Sequence, residues 1–333
     1  MDLLHTPEQE QIAEAARRYL ATELPLHRLR DPRRTDAAAL PTLAGLGWLS
    51  LGLDEAAGGG GGSLLEEQIV MREAGRALLS PVLLATCLAA KIAAGSGDAR
   101  LASQFAGGER TAGFAIPVVA TELAEPQGEF LLVDGRLASH WLIWTASGLS
   151  LLTHAVWEQR AAHGLDNSLL ISRASLVSFR VASVVEKEAP VVDAANLLVA
   201  AMMLGMSRAA LEMAVDYVKL REQFGQPIGS FQAVKHRCAD SLVRSEAAQA
   251  LVDFASVCVA NGQADAAFQA RAARIAASKA GFANAAANIQ LHGAMGFTAE
   301  CDAHWFQKRM HVLDQLGGAR RAQETALLVL SAV

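Results

Sequence analysis

Apolar residues recur at helical spacing through the first hundred positions of the chain. Ile12, Ala15, Ala16, Tyr19 and Leu20 share one face of a predicted helix. Thr6 caps that helix and Pro7 takes its first position, with Glu8 and Glu10 near the positive end of its dipole. Similar patterns cover residues 37–46, 63–77 and 81–94. Between about 109 and 190 the texture changes to short β-rich pieces at 130–133, 141–144, 149–152 and 176–181. Turn signals at Pro126-Gln127-Gly128 and Asp134-Gly135 separate them. Beyond 191 the helical period returns: Leu211, Val215 and Val218 form a stripe opposed by Arg208, Glu212, Asp216 and Lys219. Residues 197–206 are apolar on every side, and long patterns follow at 230–260 and 265–291. The pattern predicts a mainly α protein with a small β domain. An N-terminal helical domain (1–108) precedes a short middle β barrel or sandwich (109–190) and a C-terminal antiparallel four-helix bundle (191–333). The all-round apolar section 197–206 needs burial on every side, which predicts assembly through the bundle.

At 333 residues, 52% of them hydrophobic, the chain is long enough for two or three packed units. A net charge of -5 with scattered Lys and Arg argues against a nucleic-acid partner. Cys87, Cys238, Cys258 and Cys301 are far apart and form no CxxC pair, which predicts reduced thiols and no metal site. The first residues show neither a basic region nor an apolar signal core, and the longest apolar run, 194–206, is shorter than the about 20 residues of a membrane span. A cytoplasmic protein is expected. The glycine run at 58–62 lacks a following Lys-Ser/Thr and a preceding strand, so it reads as a helix connection rather than a phosphate loop.

One segment breaks the C-terminal pattern. Arg221-Glu222-Gln223-Phe224-Gly225-Gln226-Pro227 places a cation, an aromatic ring and amides at the junction of two predicted helices, with Gln232 just beyond. Arg221 offers five fixed donors for a phosphate or carboxylate. A second segment, Gln290-Leu291-His292-Gly293-Ala294-Met295-Gly296-Phe297, ends the following long helix. His292 there reads as a structural hydrogen-bonding residue, and Met202, Met203 and Met206 as core. These blocks, in this order and spacing, resemble the acyl-CoA dehydrogenases, and the helix–β–helix organisation extends the resemblance over the whole chain.

The resemblance implies FAD as cofactor and an acyl-CoA as substrate. It implies that Arg221 pairs with the pyrophosphate of a flavin held by a dimer mate, with Gln223, Phe224 and Gln232 beside it. Gln290, Gly293 and Ala294 would meet the adenosine half. It also implies a dimer of dimers, either a homotetramer or an α2β2 heterotetramer, and an electron-transfer flavoprotein as partner if the chain is active. In the family a carboxylate removes the proton beside the thioester carbonyl while hydride leaves to the flavin. Counted without gaps, the usual glutamate position is Gly317 and the position used by some relatives is Ala195. Neither side chain can take a proton, which leaves Asp193 and Asp314 as substitutes. The family's Thr-Glu-Pro-Gly-Ala-Gly-Ser segment along the flavin has no clean counterpart: Phe114-Ala115-Ile116-Pro117 stands in its place and Thr121-Glu122 is displaced. A Trp-x-Thr element survives loosely around Trp144-Thr145. The preferred expectation is a family subunit that completes the site of a catalytic partner. The alternatives are a self-sufficient dehydrogenase with another base and a flavin-free acyl-CoA-binding or scaffold protein.

Overall fold

The computed structural model describes residues 3–31, 35–162 and 164–330. Helix α1 (Pro7–Glu23) starts as the sequence predicts: Thr6 accepts from the Gln9 backbone N–H while the Gln9 side chain accepts from the Thr6 backbone. The pattern at 37–46 divides into a 3-10 turn (Asp36–Ala39) and a short helix α2 (Leu40–Gly45), which carries Pro41 in its first turn. Helices α3 (Leu64–Arg76), α4 (Val82–Gly95) and α5 (Ala99–Ala106) follow. Ser63 and Glu66 close a second capping box directly after the glycine run, so side chains of the protein already accept from the Ser63 and Leu65 N–H groups at the start of α3. The run itself folds back on the chain, because a Cβ on Gly59 would overlap the Leu53 carbonyl.

The middle segment is a closed five-stranded barrel with strand order β1-β2-β5-β4-β3. Its strands are β1 (Ala112–Pro117), β2 (Glu129–Val133), β3 (His140–Thr145), β4 (Gly148–Ala161) and β5 (Ile171–Glu186). Residues 114–117, aligned above with the family's flavin segment, belong to β1. They pair antiparallel with β2, and β1 also runs parallel to β3. Closure removes the sheet edges and turns Ala115, Phe130, Leu132, Trp141, Ile143 and Leu152 inward, while Phe114, Leu142 and Leu151 on the other face pack against the helical core.

The C-terminal part contains α6 (Pro190–Leu220), α7 (Gln232–Ala260), α8 (Ala266–His292), α9 (Ala303–Gln315) and α10 (Arg320–Leu330). Helix α6 is long and apolar enough to cross a membrane by length and composition, contrary to the sequence expectation, but 67% of its most apolar window is buried inside the fold. It is the central core helix. Residues 197–206 are enclosed by the chain's own helices, so their hydrophobicity alone does not call for assembly. Exposed Leu242 and Val243 on α7 are the better indication of an uncovered face. The crossing of α3 and α6 depends on two glycines. A Cβ on Gly75 would overlap the Met202 carbonyl, and one on Gly205 would overlap the Arg72 carbonyl.

Two buried arginines fasten the three parts at the turn between α3 and α4. Arg28 makes two 3.0 Å bonds to Asp36 and also donates to the Ala77 and Leu78 carbonyls. Arg309 of α9 bonds Asp166 beside the barrel at 2.6 Å and donates to the Leu78 and Leu79 carbonyls. Burial would raise the Asp36 carboxyl, but the hydrogen bonds and charge of Arg28, the Arg309 charge and the Ser80 N–H hold it below its ordinary value.

Gly205→Ala tests the helix crossing. Alanine is the better helix former by about 1 kcal/mol, yet the substitution should lower stability by about 1–3 kcal/mol in urea unfolding because the helices must separate. A gain in stability would show that the crossing is not close-packed.

Candidate functional site

The sequence-predicted residues gather in two places, at opposite ends of α6. At its C-terminal end Arg221 caps the helix, its backbone N–H donating to Tyr217 O at 2.8 Å. The next residues form a two-strand hairpin in which Glu222–Gln223 (β6) pairs with Gln226–Pro227 (β7). Phe224 and Gly225 between them have φ of 55° and 79°. Positive φ at both central positions is the geometry of a tight type I′ turn, which glycine accepts readily and phenylalanine does not. This turn leaves Phe224 92% exposed. Arg221 and Gln223 are exposed beside it, and Arg221 makes no ion pair or side-chain hydrogen bond among the described residues. Gln232 opens α7 on the surface and lies 3.3 Å from His236.

The second motif comes to the same end. The Tyr217 and His292 rings stack with centroids 4.1 Å apart, joining the ends of α6 and α8. His292 Nδ1 donates to Asn288 O at 2.9 Å, the structural bond expected of it. Beyond it, Gln290, Gly293 and Ala294 are exposed, as are Met295 and Phe297. Gly293 has a φ of 61°, and nothing lies within 4 Å of the place a Cβ would take. Exposed backbone, a free guanidinium and an uncovered ring thus share one face that faces away from the chain's own core.

At the other end of α6 lie the positions where the family's base is expected. Ala195 is fully buried. Gly317 follows α9 at a φ of 64°, and a Cβ there would overlap the indole of Trp144 at the end of β3. Trp144 belongs to the apolar core, so the Trp-x-Thr pattern marks a packed strand end. Arg274 of α8 sits 5.1 Å from the centroid of that indole. It donates to Asn196 Oδ1 at 2.8 Å and to the Leu316 and Gly318 carbonyls. Burial pulls the Arg274 guanidinium down to about 9, against the opposing charge of Asp314.

Asp314 is a structural residue: it accepts from Ser278 Oγ at 2.9 Å and from the Arg320 N–H at 3.3 Å, the latter at the start of α10. Asp193 differs. It is 7% exposed and its Oδ1 has no partner. Burial pushes its carboxyl up to about 6, with Arg271 pulling the other way. Arg271 Nη1 donates to Gln323 Oε1 at 2.8 Å, and Gln323 Nε2 donates to Gly317 O at 2.7 Å. Asp193 therefore belongs to the same seam as the altered loop. Arg271, Arg274 and Gln323 were not singled out from sequence. Their signal was two cations three residues apart on the buried side of an alanine-rich helix.

Residues 6–104 match the acyl-CoA dehydrogenase N-terminal domain and residues 192–327 the C-terminal domain, flanking the barrel. The acyl-CoA dehydrogenase IpdE2 of Mycobacterium tuberculosis is 35% identical over 81% of this chain and 79% of its own length. The chain belongs to the acyl-CoA dehydrogenase family. FadE34 of the same organism is 37% identical over 84% of the chain, which spans only 40% of that larger relative. Among solved structures, a Tcur3481–Tcur3483 steroid acyl-CoA dehydrogenase variant is 25% identical with a TM-score of 0.81, covering 98% of both chains. The ChsE4–ChsE5 complex of Mycobacterium tuberculosis, 22% identical with a TM-score of 0.84 over 100% of this chain and 99% of the other, shares the fold.

Two experiments test the seam. Gly317→Glu should destabilise the protein and confer no dehydrogenase activity, because the new side chain meets Trp144; a stable, active variant would show that the loop retains room for a base. Asp193 has a raised folded-state pKa, so its contribution to stability is full below the unfolded value and is lost as pH rises through about 6. Urea titrations from pH 4 to 7 should show wild type losing stability relative to Asp193→Asn as pH rises. Parallel curves would contradict this.

Proposed function

We propose that the chain is a subunit of a heteromeric acyl-CoA dehydrogenase, an α2β2 dimer of dimers, in which a partner subunit supplies the proton-abstracting carboxylate. One observation carries the reading. The residues that the family resemblance assigns to contact in trans, Arg221, Gln223, Phe224, Gln232, Gln290, Gly293 and Ala294, lie exposed at one end of the bundle, while Trp144 lies where a side chain at Gly317 would start. The two named assemblies among its structural relatives add support.

The described residues fit FAD on this outward face. Arg221 would hold the pyrophosphate by charge-assisted hydrogen bonds, and Gly293 and Ala294 would let the adenosine half approach the backbone. Phe224 would cover a flat surface of the bound cofactor and exclude water there. The flavin, when bound, accepts hydride from the acyl thioester. This chain's contribution is to orient that cofactor, and orientation alone can lower a barrier by several kcal/mol. We place the protein in the cytoplasm, with acyl-CoA as the substrate class and an electron-transfer flavoprotein as the acceptor for the assembled enzyme.

A second reading, a self-sufficient dehydrogenase, is favoured by one feature: the unpartnered Oδ1 of Asp193, whose carboxyl is pushed up to about 6. Turnover of a panel of acyl-CoA substrates by the chain alone, lost in Asp193→Asn, would establish it. The first reading expects no appreciable turnover by the chain alone, and flavin absorbance and activity only on co-expression with a neighbouring-gene dehydrogenase subunit. In that complex Arg221→Ala should lower flavin occupancy, the loss of one charge-assisted contact being worth about 1.5–3 kcal/mol, with little change in unfolding midpoint. Equal flavin occupancy in mutant and parent would remove Arg221 from the site.

A further inference from the structure

Helix α7 is as apolar on its exposed side as on its buried side. The buried side carries Ser241 and Ser245 beside Ala248, Val252 and Ala255. Asn284 of α8 donates to Ser245 Oγ at 2.9 Å and to Ser207 Oγ of α6 at 2.8 Å, and the two serine hydroxyls lie 3.0 Å apart. Polar groups are thus satisfied within the bundle. The exposed apolar positions between 239 and 251 are Ala239, Leu242, Val243, Ala247, Ala250 and Leu251, with Asp240 and Glu246 the two charges among them. Glu246 is drawn aside to Arg208 of α6 at 2.9 Å. Leu242 is 50% and Val243 67% exposed. A helix apolar on both faces belongs under a cover.

The strip is continuous with the exposed end that carries Arg221. Gln232, His236, Ala239 and Val243 follow one another at spacings of four, three and four, which is a single line along a helix. Gln232 and His236 lie 3.3 Å apart at its start. Ala239 is then about 10 Å from Gln232 at the helical rise. From 239 to 251 the strip runs about 18 Å, and at a helix width of about 10–12 Å it offers on the order of 200 Å². A stable pair of proteins buries about 800 Å² on each side. The strip alone is therefore too small to join two copies of this chain. As an extension of the end at Arg221 and Gln232, it enlarges the contact that forms there.

We propose that the α7 strip is part of the contact with the catalytic subunit and is covered by an apolar helix face of that subunit. Ala239, Ala247 and Ala250 leave grooves beside Leu242 and Val243 into which the ridges of another helix fit. Arg221 and the exposed backbone beside it meet the cofactor, and α7 supplies the apolar burial that holds the two subunits together. The inference rests on the heteromeric reading above and names the surface that reading requires.

The test mixes the separately purified full chain and neighbouring-gene dehydrogenase subunit with FAD and measures their Kd by interferometry. Val243→Glu and Ala247→Glu should each weaken association at least about tenfold, because a charge would be buried without a partner. The unfolding midpoint of the free chain should not change, since both sites are exposed helix positions and glutamate is a good helix former. If the wild type binds the subunit and both variants bind it equally well, the α7 inference fails and the heteromeric reading stands. If the wild type does not bind it, the heteromeric reading fails and takes this inference with it. A dimer of the chain alone that Val243→Glu dissociates would assign the strip to a second copy and overturn its assignment to the catalytic subunit.

Discussion

A guanidinium cut off from water must find acceptors for its donors, and Arg274 finds most of them in one loop. Its contacts with the Leu316 and Gly318 carbonyls, with Asn196 and with the face of Trp144 bring α6, α8, the barrel and the loop before α10 to a single point. None of these can shift alone without leaving a buried cation short of a partner, and such a vacancy costs several kcal/mol. The loop is consequently shaped by the arginine beneath it. The absence of a side chain at Gly317 is thus part of this packing: the Trp144 indole lies in the space that a Cβ there would take.

The same device recurs at the α3–α4 turn. Arg28 and Arg309 reach Leu78 from opposite sides, one from the N-terminal helices and one from the bundle, and Asp166 brings in the segment between β4 and β5. Leu78 adopts a φ of 52° there, a conformation that a leucine adopts only when its surroundings enforce it. The N-terminal helices, the barrel and the bundle, which share one continuous apolar core, are thereby held in fixed relation by backbone carbonyls. Hydrophobic packing alone has no directional preference and would permit sliding.

The helices were legible because their starts carry chemistry as well as period: Thr6 with Pro7, and the apolar stripe beginning after the glycine run. The hairpin was legible as a break, since Gly225 and Pro227 interrupt an otherwise continuous helix. Strand β1 was obscured because Ala112–Pro117 is a short apolar run ending in proline, and its pairing partners lie 12 or more residues away. The seam at Arg271 and Arg274 was hidden for a related reason. In an alanine-rich helix nearly every face looks apolar, so the sequence does not reveal which side a cation takes until the loop it contacts has folded. Residues 197–206 show the converse: their uniform hydrophobicity was read as a demand for a second chain, and the fold meets it internally.

The upturned Phe224 has a cost that falls outside the folded molecule. A bulky ring held in left-handed backbone and left 92% exposed meets its own chain through the edge of Phe231, 6.1 Å away, and Leu220 and Phe297 are exposed at the same end. Such a surface is a sink for unintended contacts whenever the chain is made in excess of whatever covers it. The lifetime of the protein in a cell would then follow mass action, with unpaired copies drawn into aggregation or degradation and paired copies protected. For the proposed heteromer, synthesis of the two subunits in matched amounts, as in translation from one transcript, would keep that surface covered.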